Sequence, residues 1–154
     1  MPHAKVLTVS DGVAAGTRQD TSGDALAATL EQAGFTVVER RVVPDGSDRV
    51  HDALIELCFQ FTGVIVTTGG TGFSPRDQTP EGTRSVLDRD APGMAEAMRA
   101  VNPLGRLSRA LAGSRATVLI LNTPGSEAGA VETLTAVLDV VPHAIDLLEG
   151  GQPH

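Results

Sequence analysis

The chain has 154 residues and a formal charge of −7, from 12 Lys and Arg against 19 Asp and Glu, a length that suits a single domain over 1–154 able to fold without disulfide or metal staples. That balance, with Lys5 the only lysine and neither Trp nor Tyr present, argues against a basic stripe for nucleic acid or an anionic membrane and against base-stacking platforms. Lys5 lies in Ala4-Lys5-Val6 and not in a Gly-Lys-Ser/Thr step, so the chain is not a P-loop protein.

In chain order, four apolar runs read as strands: Lys5 to Val9, Phe35 to Val43, Val64 to Thr68 and Thr117 to Leu121. Helical spacing fills the gaps, with Leu26, Leu30 and Ala33 after the first run and Val50, Leu54, Leu57, Cys58 and Phe61 after the second. Strands alternating with helices predict a three-layer α/β/α sandwich on a mostly parallel sheet. Gly34 is placed to end the first helix in a left-handed cap, and Thr79-Pro80-Glu81 to open another with Thr79 as its N-cap. Prolines and glycines between Asp90 and Gly113 predict short helical pieces there, at an oligomer contact or rim, and Pro142 opens a last helix that Gly150 follows. Cys58 belongs to an apolar stripe, and His3, His51, His143 and His154 lie apart, without cysteines at metal-binding spacing. Neither a targeting segment nor an apolar run near the roughly 18 residues of a membrane span is present, so a cytoplasmic protein is expected.

Polar, glycine-bearing loops follow the predicted strands, at the edge where open α/β sheets bind ligands. They are Ser10-Asp11-Gly12 leading to Asp20-Thr21-Ser22-Gly23, then Pro44-Asp45-Gly46, Thr67 to Gly72, and Asn122-Thr123-Pro124-Gly125-Ser126. Each alone reads as a tight turn with a capping residue. In the glycine-rich loop, Gly69, Gly70, Thr71 and Gly72 can present successive backbone N–H groups, a nest that takes phosphate without lysine. Gly70-x-Gly72 is followed by Pro75 where a dinucleotide fingerprint needs a third glycine, which discounts a Rossmann dehydrogenase. Arg76 and Asp77 come next and read either as a mutual surface pair or as site residues; Asp77 with Asp45 would offer Mg²⁺ two carboxylates from separate loops. Arg76 and Arg109 offer planar cations, and Phe73 either lids the site or packs beneath the loop.

Together, Thr67-Thr68-Gly69-Gly70-Thr71-Gly72 and Arg76-Asp77-x-Thr79-Pro80-Glu81 resemble the MoaB/Mog family of molybdenum-cofactor biosynthesis, which includes the N-terminal domain of gephyrin and the molybdopterin adenylyltransferases. Support comes from Asp20-x-Ser22-Gly23, Val43-Pro44-Asp45, Ala91-Pro92-Gly93-Met94, Leu107-Ser108-Arg109 and Leu121-Asn122-x-Pro124-Gly125-Ser126. Gln78 and Gly82 replace the valine and alanine usual in the family, and neither change removes a polar group. The resemblance implies a homotrimer that adenylylates molybdopterin with ATP and Mg²⁺, releasing pyrophosphate, and a possible molybdenum-insertase partner. It implies catalytic and metal-binding roles for Asp45 and Asp77. It also implies substrate contacts from Ser10, Asp11, Gly69, Gly70, Thr71, Gly72, Arg76, Asn122, Pro124, Gly125 and Ser126. A paralogue that binds molybdopterin or a protein without adenylylating anything is the alternative.

Overall fold

The computed structural model describes residues 2–151. Six strands form one sheet: β1 (His3–Val9), β2 (Thr36–Val43), β3 (Gly63–Thr68), β4 (Arg89–Asp90), β5 (Ala112–Arg115) and β6 (Val118–Thr123), in the order β2-β1-β3-β6-β5-β4. The first four in that order run parallel, while β5 pairs antiparallel with both β6 and β4. The helices are α1 (Asp11–Ala14), α2 (Thr21–Gln32), α3 (Ser47–Cys58), α4 (Thr79–Arg84), α5 (Pro92–Ala100), α6 (Glu127–Thr135) and α7 (Val141–Leu148), with a 3-10 turn at Pro103–Leu107.

Both faces of the central strands are covered, which explains their unbroken apolar runs. Ala4, Val6, Val64, Val66, Leu119 and Leu121 face one way and pack with α2, α5, α6 and α7. Leu7, Val9, Ile65, Val118 and Ile120 face the other and pack on Val50, Ala53, Leu54 and Leu57 of α3. Lys5 shares the α3 side, where its ammonium donates to Leu57 O at 2.9 Å and lies 4.2 Å from the centre of the Phe61 ring. The expected three layers are therefore present, as are the short helical pieces between Asp90 and Gly113 and the left-handed Gly34 at φ +92°.

Two expectations change. Strands β4 and β5 extend the sheet beyond the four runs, and Thr79 does not cap α4. Helix α4 begins at Thr79 with Gln78 before it, and the Thr79 hydroxyl donates instead to Gly69 O at 2.8 Å. A long-range contact to the glycine loop thus replaces the local cap. His154 lies outside the described residues.

One buried polar knot joins the sheet to its loops. Asn122, fully buried at the end of β6, donates to the hydroxyls of Thr67 (2.9 Å) and Thr83 (3.0 Å), and its carbonyl oxygen accepts from Leu111 N–H at 3.0 Å. An Asn122→Ala change strands these groups without water. It should lower unfolding stability by about 1–3 kcal/mol in urea titrations, and an unchanged midpoint would refute that role.

Candidate active site

Strands β1, β2, β3 and β6 end at one edge of the sheet, and their following loops converge there. The convergence depends on glycine. Gly69, at φ +101°, brings its backbone against the end of β1, where a Cβ would stand 2.2 Å from Val9 O. Gly70, at φ +69°, approaches so closely that a Cβ would lie 2.3 Å from the Thr79 hydroxyl and 3.2 Å from Asp45 Oδ1. Gly125 rests against Gly69, its added Cβ meeting Gly69 Cα at 3.4 Å.

A polar cavity of about 360 Å³ opens between these loops. Ser10, Asp45, Gly69, Gly70, Asp77, Gly125 and Ser126 line it. So do Arg18, Gln19, Thr21 and Ser22, which place the first turn of α2 on its wall. Helix α6 also begins here, capped by Ser126, whose hydroxyl accepts from Gly129 N–H at 3.1 Å. Two helix N-termini with their partial positive charge therefore border one cavity. Gly69 N–H donates to Thr123 O at 3.1 Å, whereas no backbone hydrogen bond among the described residues uses the N–H of Gly70, Thr71 or Gly72.

The two acids stand on either side of the glycine loop. Asp45 Oδ2 accepts from Asp11 N–H at 3.0 Å, and Asp11 Oδ1 accepts in return from Asp45 N–H at 3.1 Å. Arg76 clasps the Asp11 carboxylate with two bonds of 3.0 and 2.8 Å and donates to Asp45 O at 3.1 Å. Arg76 thus pairs with Asp11 and not with its neighbour Asp77, because the loop turns its guanidinium across to α1. That guanidinium holds the Asp11 carboxyl below its ordinary value. Burial pushes the Asp45 carboxyl up, and the charges of Asp11 and Asp77 add to it against the Asp11 N–H and Arg76. Asp77 Oδ2 accepts from Ser74 N–H at 3.0 Å, and its backbone carbonyl accepts from Arg109 at 2.7 Å.

Each acid therefore engages one carboxylate oxygen and leaves the other without a hydrogen bond among the described residues. Two acids that repel one another, each with a free oxygen, fit a hard divalent cation that keeps waters and shares substrate oxygens. No group of three or more His, Cys, Asp or Glu residues gathers at metal-binding distance among the described residues, so any cation there would rest on these two.

Not every expected residue faces the polar cavity. Asp11 and Arg76 brace it from outside, Asn122 is enclosed in the scaffold, and Thr71 is buried at 4% exposure. Asn122 and Pro124 instead border a second, largely apolar cavity of about 380 Å³ with Met98, Leu104 and Leu111. Ser126 lies on both cavities. Arg109 is committed to Glu81 and to the carbonyls of Gly72 (2.8 Å) and Asp77, so it clamps the loop instead of presenting a cation. Phe73 is 68% exposed with its ring 5.9 Å from the Arg109 guanidinium, and it lines neither cavity. Burial raises the Cys58 thiol to about 11, which suits a packed side chain and not a nucleophile. His51 pairs with the Ser85 hydroxyl at 2.7 Å, away from this edge. Arg18 and Gln19 are the residues that sequence reasoning missed.

Residues 5–143 match the model of a family described as a probable molybdopterin binding domain. The chain belongs to that family. A molybdopterin adenylyltransferase of Helicobacter pylori is 37% identical over 155 residues, covering 96% of this chain and 88% of that protein. The crystal structure of MoaB, a molybdopterin biosynthesis enzyme of Thermus thermophilus, superposes with a TM-score of 0.92 at 45% identity, covering 99% of each chain. Gephyrin of Dictyostelium discoideum is 36% identical over 157 residues, which take in 93% of this chain but 22% of gephyrin. Like the strand-end edge itself, this kinship extends through the chain from β1 into α7.

Within this molybdopterin binding domain, Asp45 carries an unfavourable charge. Its folded-state pKa lies above the ordinary value, so its ionisation works against folding as pH rises through that range. Asp45→Asn keeps an oxygen for Asp11 N–H and removes the charge. It should raise the thermal midpoint at pH 7 by about 1–3 °C, with the gain shrinking as pH falls and the wild-type carboxyl takes up its proton. A lower midpoint for the variant at pH 7 would contradict this.

Proposed function

We propose that this chain is a molybdopterin adenylyltransferase acting in molybdenum cofactor biosynthesis. The observation that carries the reading is the polar cavity, where Asp45 and Asp77 face backbone N–H groups and helix N-termini suited to phosphate. The curated relative from Helicobacter pylori bears the same activity in its name.

In the proposed reaction, a phosphate oxygen of molybdopterin attacks the α-phosphorus of ATP. A new P–O–P linkage forms, the α–β bond breaks, and pyrophosphate leaves. The attacking phosphate monoester is already an anion at neutral pH, since its second ionisation falls near pH 6. No activated Ser or Cys is then required, which agrees with a half-buried, weakly acidic Cys58. What the protein must supply is alignment and charge neutralisation. The N-termini of α2 and α6 and the Gly70 turn orient phosphate oxygens, and Asp45 and Asp77 would hold Mg²⁺, which neutralises phosphate charge when bound. The apolar cavity beside Pro124 and Ser126 extends the same site for the non-phosphate part of a substrate.

The reading extends to a homotrimer, a cytoplasmic location and a molybdenum-insertase partner. Leu104 and Leu107, 70% and 59% exposed on the 3-10 turn, support a protein contact there. No helix among the described residues is long and apolar enough to cross a membrane.

Purified protein given molybdopterin, ATP and Mg²⁺ should release pyrophosphate and form adenylylated pterin. Asp45→Ala and Asp77→Ala should each slow that turnover by roughly 100-fold or more, with the fold intact by circular dichroism. Molybdopterin binding without pyrophosphate release would favour the non-catalytic paralogue, and near-normal turnover in either variant would remove that acid from the mechanism.

A further inference from the structure

Three arginines around the candidate site are already matched to acids. Arg76 is bound to Asp11, Arg109 to Glu81, and Arg40 to Asp20 and Asp24. Arg18 lines the polar cavity and enters none of the ion pairs or side-chain hydrogen bonds found among the described residues. It is the one cation among the residues that line this cavity, which Asp45, Asp77 and the starts of α2 and α6 also border.

Its placement is built into the local chain. Gly16, at φ +78°, reverses the backbone after α1, and the N–H groups of Thr17 and Arg18 both return to Gly12 O, at 2.9 and 3.2 Å. The Thr17 hydroxyl joins them at 3.1 Å. The aliphatic stem of Arg18 then lies over Gly12, so closely that a Cβ there would meet Arg18 Cδ at 2.7 Å and Cγ at 3.0 Å. A glycine at 12 gives the stem a groove, and the turn aims it along the cavity wall beside Gln19 and Thr21.

We propose that Arg18 is the phosphate-binding cation of this site, an assignment that rests on the nucleotidyl-transfer reading above. Its planar fork suits two phosphoryl oxygens, in a place where the charges of Arg76 and Arg109 are already matched by Asp11 and Glu81. The phosphoryl group is either part of the ATP polyphosphate chain or the monoester of molybdopterin, two sources with the same chemistry.

Calorimetric titration of wild type, Arg18→Gln, Arg18→Lys and Gly12→Ala with ATP, pyrophosphate and molybdopterin in turn separates them. Arg18→Gln should weaken one ligand class by about 10-fold and flatten the salt dependence of its binding, with the thermal midpoint unchanged. Arg18→Lys should recover part of the loss, because a point charge replaces a fork. Gly12→Ala, which displaces the stem but keeps the charge, should show a smaller loss for the same ligand. Weakened ATP and pyrophosphate assign Arg18 to the nucleotide, and weakened molybdopterin alone assigns it to the pterin phosphate. Wild-type binding matched within twofold by Arg18→Gln for all three ligands overturns the assignment and leaves the proposed function standing. A wild type that binds neither ATP nor molybdopterin overturns both.

Discussion

The site depends on the reciprocal bond between two loops that are 34 residues apart in the chain. Asp11 and Asp45 exchange backbone N–H groups and carboxylate oxygens, and Arg76 closes the triangle from the glycine loop. Three strand ends are thereby fixed to one another at the edge where ligands bind in open α/β sheets. Without that exchange, the half-buried Asp45 would carry its charge beside two other acids with little opposing it. A strained charge held by its surroundings is the usual condition of a functional carboxylate. Gly69 and Gly70 make the same demand sterically, since their loop reaches β1 and Asp45 only where no side chain intervenes.

Charge is organised locally and not by total. A chain at −7 can still receive phosphates, because donors at this edge are backbone groups and helix ends whose positive potential does not depend on net charge. The arginines illustrate the division of labour. Those facing acids knit loops together, and their ion pairs are exposed enough to contribute little to stability. Their value is geometric: Arg109 fastens the carbonyls of Gly72 and Asp77, keeping the glycine loop in register with α4.

The central strands were legible because burial on both faces leaves a continuous β-branched signature, as in Val64-Ile65-Val66. The glycine loop was legible because its residue types have few other uses. Strand β5 was not, since Ala112-Gly113-Ser114-Arg115 has no residue with strong strand preference and pairs only because β6 lies beside it. Thr79 reads as a helix cap until the fold brings Gly69 O within reach of its hydroxyl. The partner of Arg76 lies 65 positions away, beyond any local pattern. Arg18 escaped for the same reason, because its place on the cavity wall follows from a turn at Gly16 and the open face of Gly12, not from its neighbours in sequence. Asn122 stood in a recognisable loop, but its amide is used by the scaffold itself.

The central claim is that phosphate is received by backbone N–H groups in the polar cavity between Gly70 and Ser126. Amide chemical-shift mapping of isotopically labelled protein with added pyrophosphate and Mg²⁺ tests it most directly. The account predicts the largest shifts at the amides of Gly70, Thr21 and Gly125, with those around Met98 and Leu104 in the apolar cavity little changed. Shifts confined to the apolar cavity, or spread evenly over the surface, would contradict it.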